Sequence, residues 1–216
     1  TLDNLAHSLK TPLAAMRALL NDRQSEGFGS RFNEQIDRMD EIVRYQLRKP
    51  AASVADHLVL TPVNVEKEVA RLVEGLRKVY HDKHPEFDVR IEKGLQFRGD
   101  TGDFLELAGN LLDNACKWCE RKVRISIVPS VGARAIASGM VLTVSDDGPG
   151  IPPDAADALL QRGMRLDEST PGHGIGLAVV KDIAHSYGGR LSIQTSDLGG
   201  AEFMVSIPPV STARTD

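Results

Sequence analysis

The sequence predicts an α+β protein, with an N-terminal antiparallel helical hairpin followed by helices layered on one face of a mixed sheet. Two patterns predict it. Through the first 50 residues apolar side chains recur at three- and four-residue steps. Beyond residue 60, short strand-like runs alternate with helical stretches. Between the two lies Lys49-Pro50-Ala51-Ala52-Ser53, which has the composition of a linker. A chain of 216 residues has room for two domains, and 41% apolar with 26% charged residues is ordinary for a globular protein.

Residues 2 to about 23 read as the first helix, with Leu2, Leu5, Leu9, Leu13, Met16 and Leu20 as its stripe. The polar stretch from Gln24 to Ser30 turns the chain, and residues 31 to 48 form a second helix striped by Phe32, Ile36, Met39, Val43 and Leu47. A hairpin of this size buries too little surface to stand alone. Its stripes are expected to meet a second copy, making half of a dimeric four-helix bundle; packing on its own chain is the alternative. The expected organisation is a hairpin over residues 1–50, a linker over 51–60, a larger domain over 61–210 and a tail over 211–216. Within the larger domain, residues 65–80, 101–119 and 175–187 read as helices. Residues 87–91, 123–128, 140–144, 191–195 and 202–207 read as strands.

Composition excludes several classes. A net charge of −4 gives no footprint for nucleic acid. No run approaches the roughly 20 apolar residues of a membrane span. Cys116 and Cys119 are too few for a disulfide framework and sit within a helical pattern, so they are expected to be buried and reduced. The chain opens at Thr1, already inside an apolar-periodic pattern, and is expected to be a fragment of something longer.

On a helical wheel the first stripe centres on Leu9 and Leu20, and His7 falls about 160° away from it. Thr11 shares that outward face one turn on, and Pro12 follows where a helix interior loses a hydrogen bond. An exposed histidine is by itself ordinary surface. A neutral imidazole near pH 7 is nonetheless a nucleophile, and an outward-facing one can meet two domains in turn.

The string His7-Ser8-Leu9-Lys10-Thr11-Pro12-Leu13 resembles the H-box of bacterial sensor histidine kinases of the PhoQ type. The resemblance implies that His7 accepts phosphate and that Thr11 positions water for removing phosphate from a partner regulator. Most H-boxes carry a carboxylate directly after the histidine. Ser8 stands there in this chain, and it is no strong base.

On the helix over 101–119, Phe104, Leu105, Ala108, Leu111, Leu112, Ala115 and Cys119 define a buried stripe. Asn110, Asn114 and Lys117 project from the other side, within about 60° of one another. Two amide oxygens one turn apart suit Mg²⁺, and a lysine reaches phosphate as a point charge. The segment from Gly109 to Trp118 resembles the N-box of the histidine-kinase ATP-binding domain. Val144-Ser145-Asp146-Asp147-Gly148-Pro149-Gly150-Ile151 resembles its G1 box, and Gly172-His173-Gly174-Ile175-Gly176-Leu177 its G2 box. Gly199-Gly200-Ala201 resembles the later glycine pair.

These boxes imply an α/β sandwich of the histidine kinase, gyrase and Hsp90 type that binds ATP with Mg²⁺. Asp146 would accept from the adenine amino group. Trp118, Gly148, Gly150 and the G2 residues, Ile175 and Leu177 included, would line the nucleotide, with Asn110 and Asn114 holding the metal. His173 stands where PhoQ-type kinases carry glutamine, and it is a poorer ligand for a hard cation. Between the boxes, residues 161–170 read as a polar lid in which Arg162 or Arg165 could neutralise the transferred phosphoryl group.

Gyrase-type ATPases carry a glutamate, as base for water, where this chain has Asn110, so transfer to His7 is expected rather than hydrolysis. The implied partners are a second copy and a response-regulator receiver domain. The implied setting is the cytoplasmic side of an inner-membrane protein.

Overall fold

The computed structural model describes residues 2–20, 27–29, 31–32, 35–36, 39, 62–130, 139–152, 155 and 176–209. Its helices are α1 (Leu2–Leu20), α2 (Val65–Val79), α3 (Thr101–Trp118) and α4 (Gly176–Ser186). Its strands are β1 (Val63–Asn64), β2 (Glu86–Ile91), β3 (Gln96–Phe97), β4 (Lys122–Pro129), β5 (Met140–Asp146), β6 (Arg190–Thr195) and β7 (Ala201–Ile207). The chain divides into two compact units, one built on the first fifty residues and a larger one carrying most of the rest.

In the smaller unit α1 runs through Pro12 without a break. Residues 31, 32, 35, 36 and 39 are helical, within the stretch expected to form the return helix, and residues 28 and 29 are helical too, inside the stretch expected to turn the chain. The remainder of that helix, the linker and the tail lie outside the described residues.

The larger unit is built on helices with well-capped starts. Asn64 Oδ1 accepts from the Lys67 amide at 3.0 Å and starts α2. The Asp100 carboxylate accepts from the Gly102 and Asp103 amides at 2.7 and 3.1 Å and starts α3. Each cap satisfies donors that the first turn of a helix leaves unpaired. Tyr187, just past α4, donates its hydroxyl to Asp103 Oδ2 at 2.8 Å and accepts from the Asp100 amide at 3.0 Å, so the end of α4 is tied to the start of α3.

Five strands form one sheet in the order β2-β4-β5-β7-β6, with β2 parallel to β4 and every other pair antiparallel. Burial alternates strictly along β7, and along β4 from Lys122 to Ile127, so one face of the sheet is covered. The cover is α2, α3 and α4, with α3 in the middle touching both other helices as well as β4 and β5. Phe104, Leu107, Leu111 and Leu112 of α3 meet Ile125, Ile127, Leu142, Val144, Phe203 and Val205 in the buried core.

Two features differ from the sequence expectation. The pair β1–β3, with Val63 opposite Phe97, is two residues long, too short to show alternation. On α3, Leu105 is only half-buried, whereas Leu107 and Cys116 are fully buried although they lie off the expected stripe. Helices on both flanks widen the buried arc of α3 beyond what a single sheet contact would cover.

Leu111→Ala should cost about 2–5 kcal/mol of unfolding free energy, because the side chain is fully enclosed. Leu105→Ala should cost visibly less. Denaturant melts of the two variants check the order.

Candidate functional site

The end of β5 carries the most unusual side chain in the larger unit. Asp146 is 1% exposed. Its Oδ1 accepts from the amides of Gly148 at 2.9 Å and Ala201 at 3.2 Å. Its Oδ2 is buried without a hydrogen-bond partner among the described residues. Burial pushes this carboxyl above its usual range, against the pull of the two amides.

Main chains crowd around it. A Cβ on Gly148 would run into the carbonyl oxygen of Trp118, and a Cβ on Gly200 would run into Asp146 Oδ1 and the Gly148 amide. Only glycine lets three backbone segments meet here. The G1 segment, the end of α3 and the turn before β7 thus converge on one point, with an unpaired buried carboxylate oxygen at it.

Along α3, Asn110 donates its amide nitrogen to the Glu106 carbonyl at 2.7 Å. A Cβ on Gly176 would sit 2.7 Å from Asn110 Oδ1, so the first turn of α4 lies directly against this oxygen. Asn114 is half-buried one turn further on. Lys117 Nζ lies 2.6 Å from Asp113 Oδ2, and Asp113 Oδ1 accepts from the Tyr80 hydroxyl at 2.7 Å. Burial first and then Asp113 raise the Tyr80 hydroxyl well above its usual range, so it stays a donor. Lys83 Nζ donates to the carbonyls of Cys116 and Lys117 at 3.0 and 2.7 Å, closing the C-terminal end of α3 with a cation where the helix dipole favours one.

Cys116 and Cys119 are buried and free. Burial, followed by its neighbours Cys119 and Asp113, pushes the Cys116 thiol up to about 12, which makes it a poor nucleophile at neutral pH.

Of the residues singled out from sequence, the fold brings Trp118, Asp146 and Gly148 together and sets Asn110 against Gly176. Gly150 follows at the same loop, and Leu177 occupies the first turn of α4. His7, Ser8 and Thr11 lie on α1 in the smaller unit, and their side chains are outside the described part. Arg162, Arg165, Gly172, His173, Gly174 and Ile175 also lie outside the described residues. Gly200, Asp147, Asp113 and Lys83 were not singled out as site residues. Gly200 was visible only as one of a glycine pair, while the other three declare themselves only through folded contacts.

A family model described as histidine kinase-, DNA gyrase B- and HSP90-like ATPase matches residues 99–211. The chain belongs to that family. Every described site residue from Asn110 to Leu177 falls within the ATPase match, which supports ATP use by this region. Over 218 residues the chain is 40% identical to the sensor protein kinase CarS of Pseudomonas aeruginosa, covering 99% of this chain and 47% of that protein. It is also 40% identical over 223 residues to the two-component sensor PhoQ of the same organism, covering 97% and 46%. Among solved structures, the mycobacterial sensor histidine kinase MprB matches with a TM-score of 0.58 at 29% identity, covering 70% of this chain and 98% of that one. Both curated relatives carry sensor-kinase names, and the chain resembles them along nearly its whole length. It spans about half the length of the curated relatives it matches.

Replacing Asp146 by asparagine keeps an acceptor for the Gly148 and Ala201 amides and removes a buried charge. Because the folded-state pKa lies above the unfolded one, the cost of ionisation is present above the folded value and vanishes as pH falls through it. Asp146→Asn should therefore raise the melting temperature at neutral pH, with a gain that shrinks on acidification. ATP affinity should fall by about 1–3 kcal/mol, since an amide nitrogen would face a donor. Thermal melts across pH and calorimetric titration with ATP measure both effects.

Proposed function

We propose that this chain is the catalytic portion of a two-component sensor histidine kinase, which phosphorylates itself on His7 from Mg²⁺–ATP and passes the phosphoryl group to a response-regulator aspartate. The observation that carries the reading is Asp146. A buried carboxylate oxygen without a partner, at a point where only glycines let the main chains meet, fits the exocyclic amino group of adenine. The phosphates would then extend toward the face of Asn110, Asn114 and Lys117. The donor set fits Mg²⁺, which favours oxygen ligands, and Asn110 and Asn114 would hold it. When bound there, the metal neutralises phosphate charge. Lys117, oriented by Asp113, supplies a second positive group. Gly172, His173, Gly174 and Ile175 would complete the phosphate side, with Arg162 or Arg165 on the lid.

In the transfer step the Nε2 lone pair of neutral His7 attacks the γ-phosphorus, the bond to the bridging oxygen breaks, and ADP leaves. The ring sheds its remaining proton to solvent, because Ser8 offers no carboxylate to take it. A receiver-domain aspartate next displaces the phosphoryl group from His7. Thr11, on the same wheel face as His7, would hold the water that later hydrolyses the regulator's acyl phosphate.

The apolar side chains of the smaller unit support a homodimer. Leu13, Leu20 and Ile36 are 43%, 39% and 42% exposed, and a second hairpin would cover them. The domain limits proposed are 1–50 for the hairpin, 51–60 for the linker, 61–210 for the ATP-binding domain and 211–216 for the tail. No helix among the described residues is long and apolar enough to cross a membrane. We assign this portion to the cytoplasmic side of a membrane-anchored parent.

Incubation with γ-labelled ATP and Mg²⁺ should give acid-labile, base-stable label on the protein. His7→Gln should abolish that label while ATP still binds; label retained in this variant would remove His7 as the acceptor. Asn114→Ala should weaken Mg²⁺–ATP by about 1–3 kcal/mol while leaving metal-free nucleotide binding nearly unchanged. Titrations with and without Mg²⁺ separate the two.

A further inference from the structure

The residue after Asp146 makes an arrangement that the assignments above do not use. Asp147 Oδ1 accepts three consecutive backbone amides, those of Glu120 at 2.9 Å, Arg121 at 3.0 Å and Lys122 at 2.8 Å. Its Oδ2 lies 3.2 Å from the Arg121 amide as well. Burial works to raise this carboxyl, but the backbone amides outweigh it and hold the group below the usual carboxylate range. Hydrogen bonds to an ionised acceptor are roughly twice as strong as neutral ones.

The three amides belong to the turn that leaves α3 and enters β4. The last turn of α3, just before it, is held by Lys83 on the carbonyls of Cys116 and Lys117. The two grips differ in what they hold together. Lys83 ties the end of α3 to the end of α2, whereas Asp147 ties the turn to the end of β5. Between the turn and β5 lies a close approach, where the Trp118 carbonyl faces Gly148. The Gly148 amide in turn donates to Asp146 Oδ1 at 2.9 Å. The turn, Gly148 and Asp146 Oδ1 thus form one run of contacts, with the Ala201 amide at 3.2 Å as the second donor to that oxygen.

We propose that Asp147 is a positioning residue for base recognition: by holding the amides of residues 120–122 it fixes the Asp146 carboxylate so that Oδ2 presents to the amino group of adenine. The inference rests on the assignment of Asp146 to adenine. Asp147 is given no contact with the nucleotide here and acts through Gly148 and Asp146.

The test compares ATP with inosine triphosphate, which carries a carbonyl in place of the amino group. Affinities are measured on the purified chain from the fluorescence of Trp118, its single tryptophan, with melting temperatures alongside. Asp147→Ala should reduce the preference for ATP over inosine triphosphate about tenfold, or about 1.4 kcal/mol. Asp147→Asn keeps a neutral acceptor and should reduce it about threefold, so it carries the test if the alanine variant melts too early. Val69→Ala, a core truncation on α2, controls for lost stability; it should lower the melting temperature and leave the preference unchanged. An unchanged preference in the Asp147 variants, or an equal loss in Val69→Ala, overturns the proposal. If Asp146→Ala itself leaves the preference intact, the adenine assignment fails first, and that outcome is distinct from failure at Asp147.

Discussion

The nucleotide half of this protein depends on a contact between main chains. At the end of β5 the backbone of residues 146–148 must touch the Trp118 carbonyl on one side and Gly200 on the other, with no side chain between. Sheet register brings this about. Val123 lies opposite Asp146 in the β4–β5 pair, and Ser145 lies opposite Glu202 in the β5–β7 pair. The three segments therefore converge at one level, and a slip of one residue would turn Asp146 to the other face of the sheet. Glycine at 148 and 200 permits the final approach, and amide donors at 148 and 201 fix one carboxylate oxygen while the other stays available.

Electrostatics around Asp146 are arranged by the backbone more than by ion pairs. Asp146 is buried and costly to ionise, and Asp147 beside it is stabilised by three amides, so two adjacent carboxylates are driven in opposite directions by their surroundings. The ion pairs on the sheet are different. Arg124 spans Asp88 and Asp197 at the surface, where each such pair contributes little. On α3, the chain from Tyr80 to Asp113 to Lys117 is half-buried, and there the geometry serves orientation: it holds a flexible lysine in one place.

Much of this was legible in the amino-acid order. Strand and helix limits from residue 65 onward agree with the structure to within about two residues, because alternation and three-to-four spacing are strong over such lengths. The helical wheel puts Asn110 and Asn114 on one face, and Asp146 is legible through the resemblance of residues 144–151 to the G1 box. Leu107 and Cys116 escaped because a wheel assumes one buried side, whereas α3 is flanked by two helices. Asp147, Lys83 and Asp113 escaped for another reason. Their roles lie in which backbone groups or side chains they grip, from 25 to 34 positions away for Asp147–Lys122, Lys83–Lys117 and Tyr80–Asp113, and no local pattern records such partners.

The convergence of residues 118, 146–148 and 200–201 has a thermodynamic consequence. The site belongs to no single hairpin or helix: it exists only when β4, β5 and β7 are paired and α3 is docked. A nucleotide bound there has no comparable affinity for any partly folded form, so its binding free energy adds to the stability of the whole domain. At a free concentration one hundred times its dissociation constant, that contribution is about 2.7 kcal/mol. For a domain of ordinary marginal stability this is a large fraction of the total. Under the proposed function, the nucleotide concentration would thus set how often this domain opens to proteases, independently of any phosphoryl group transferred.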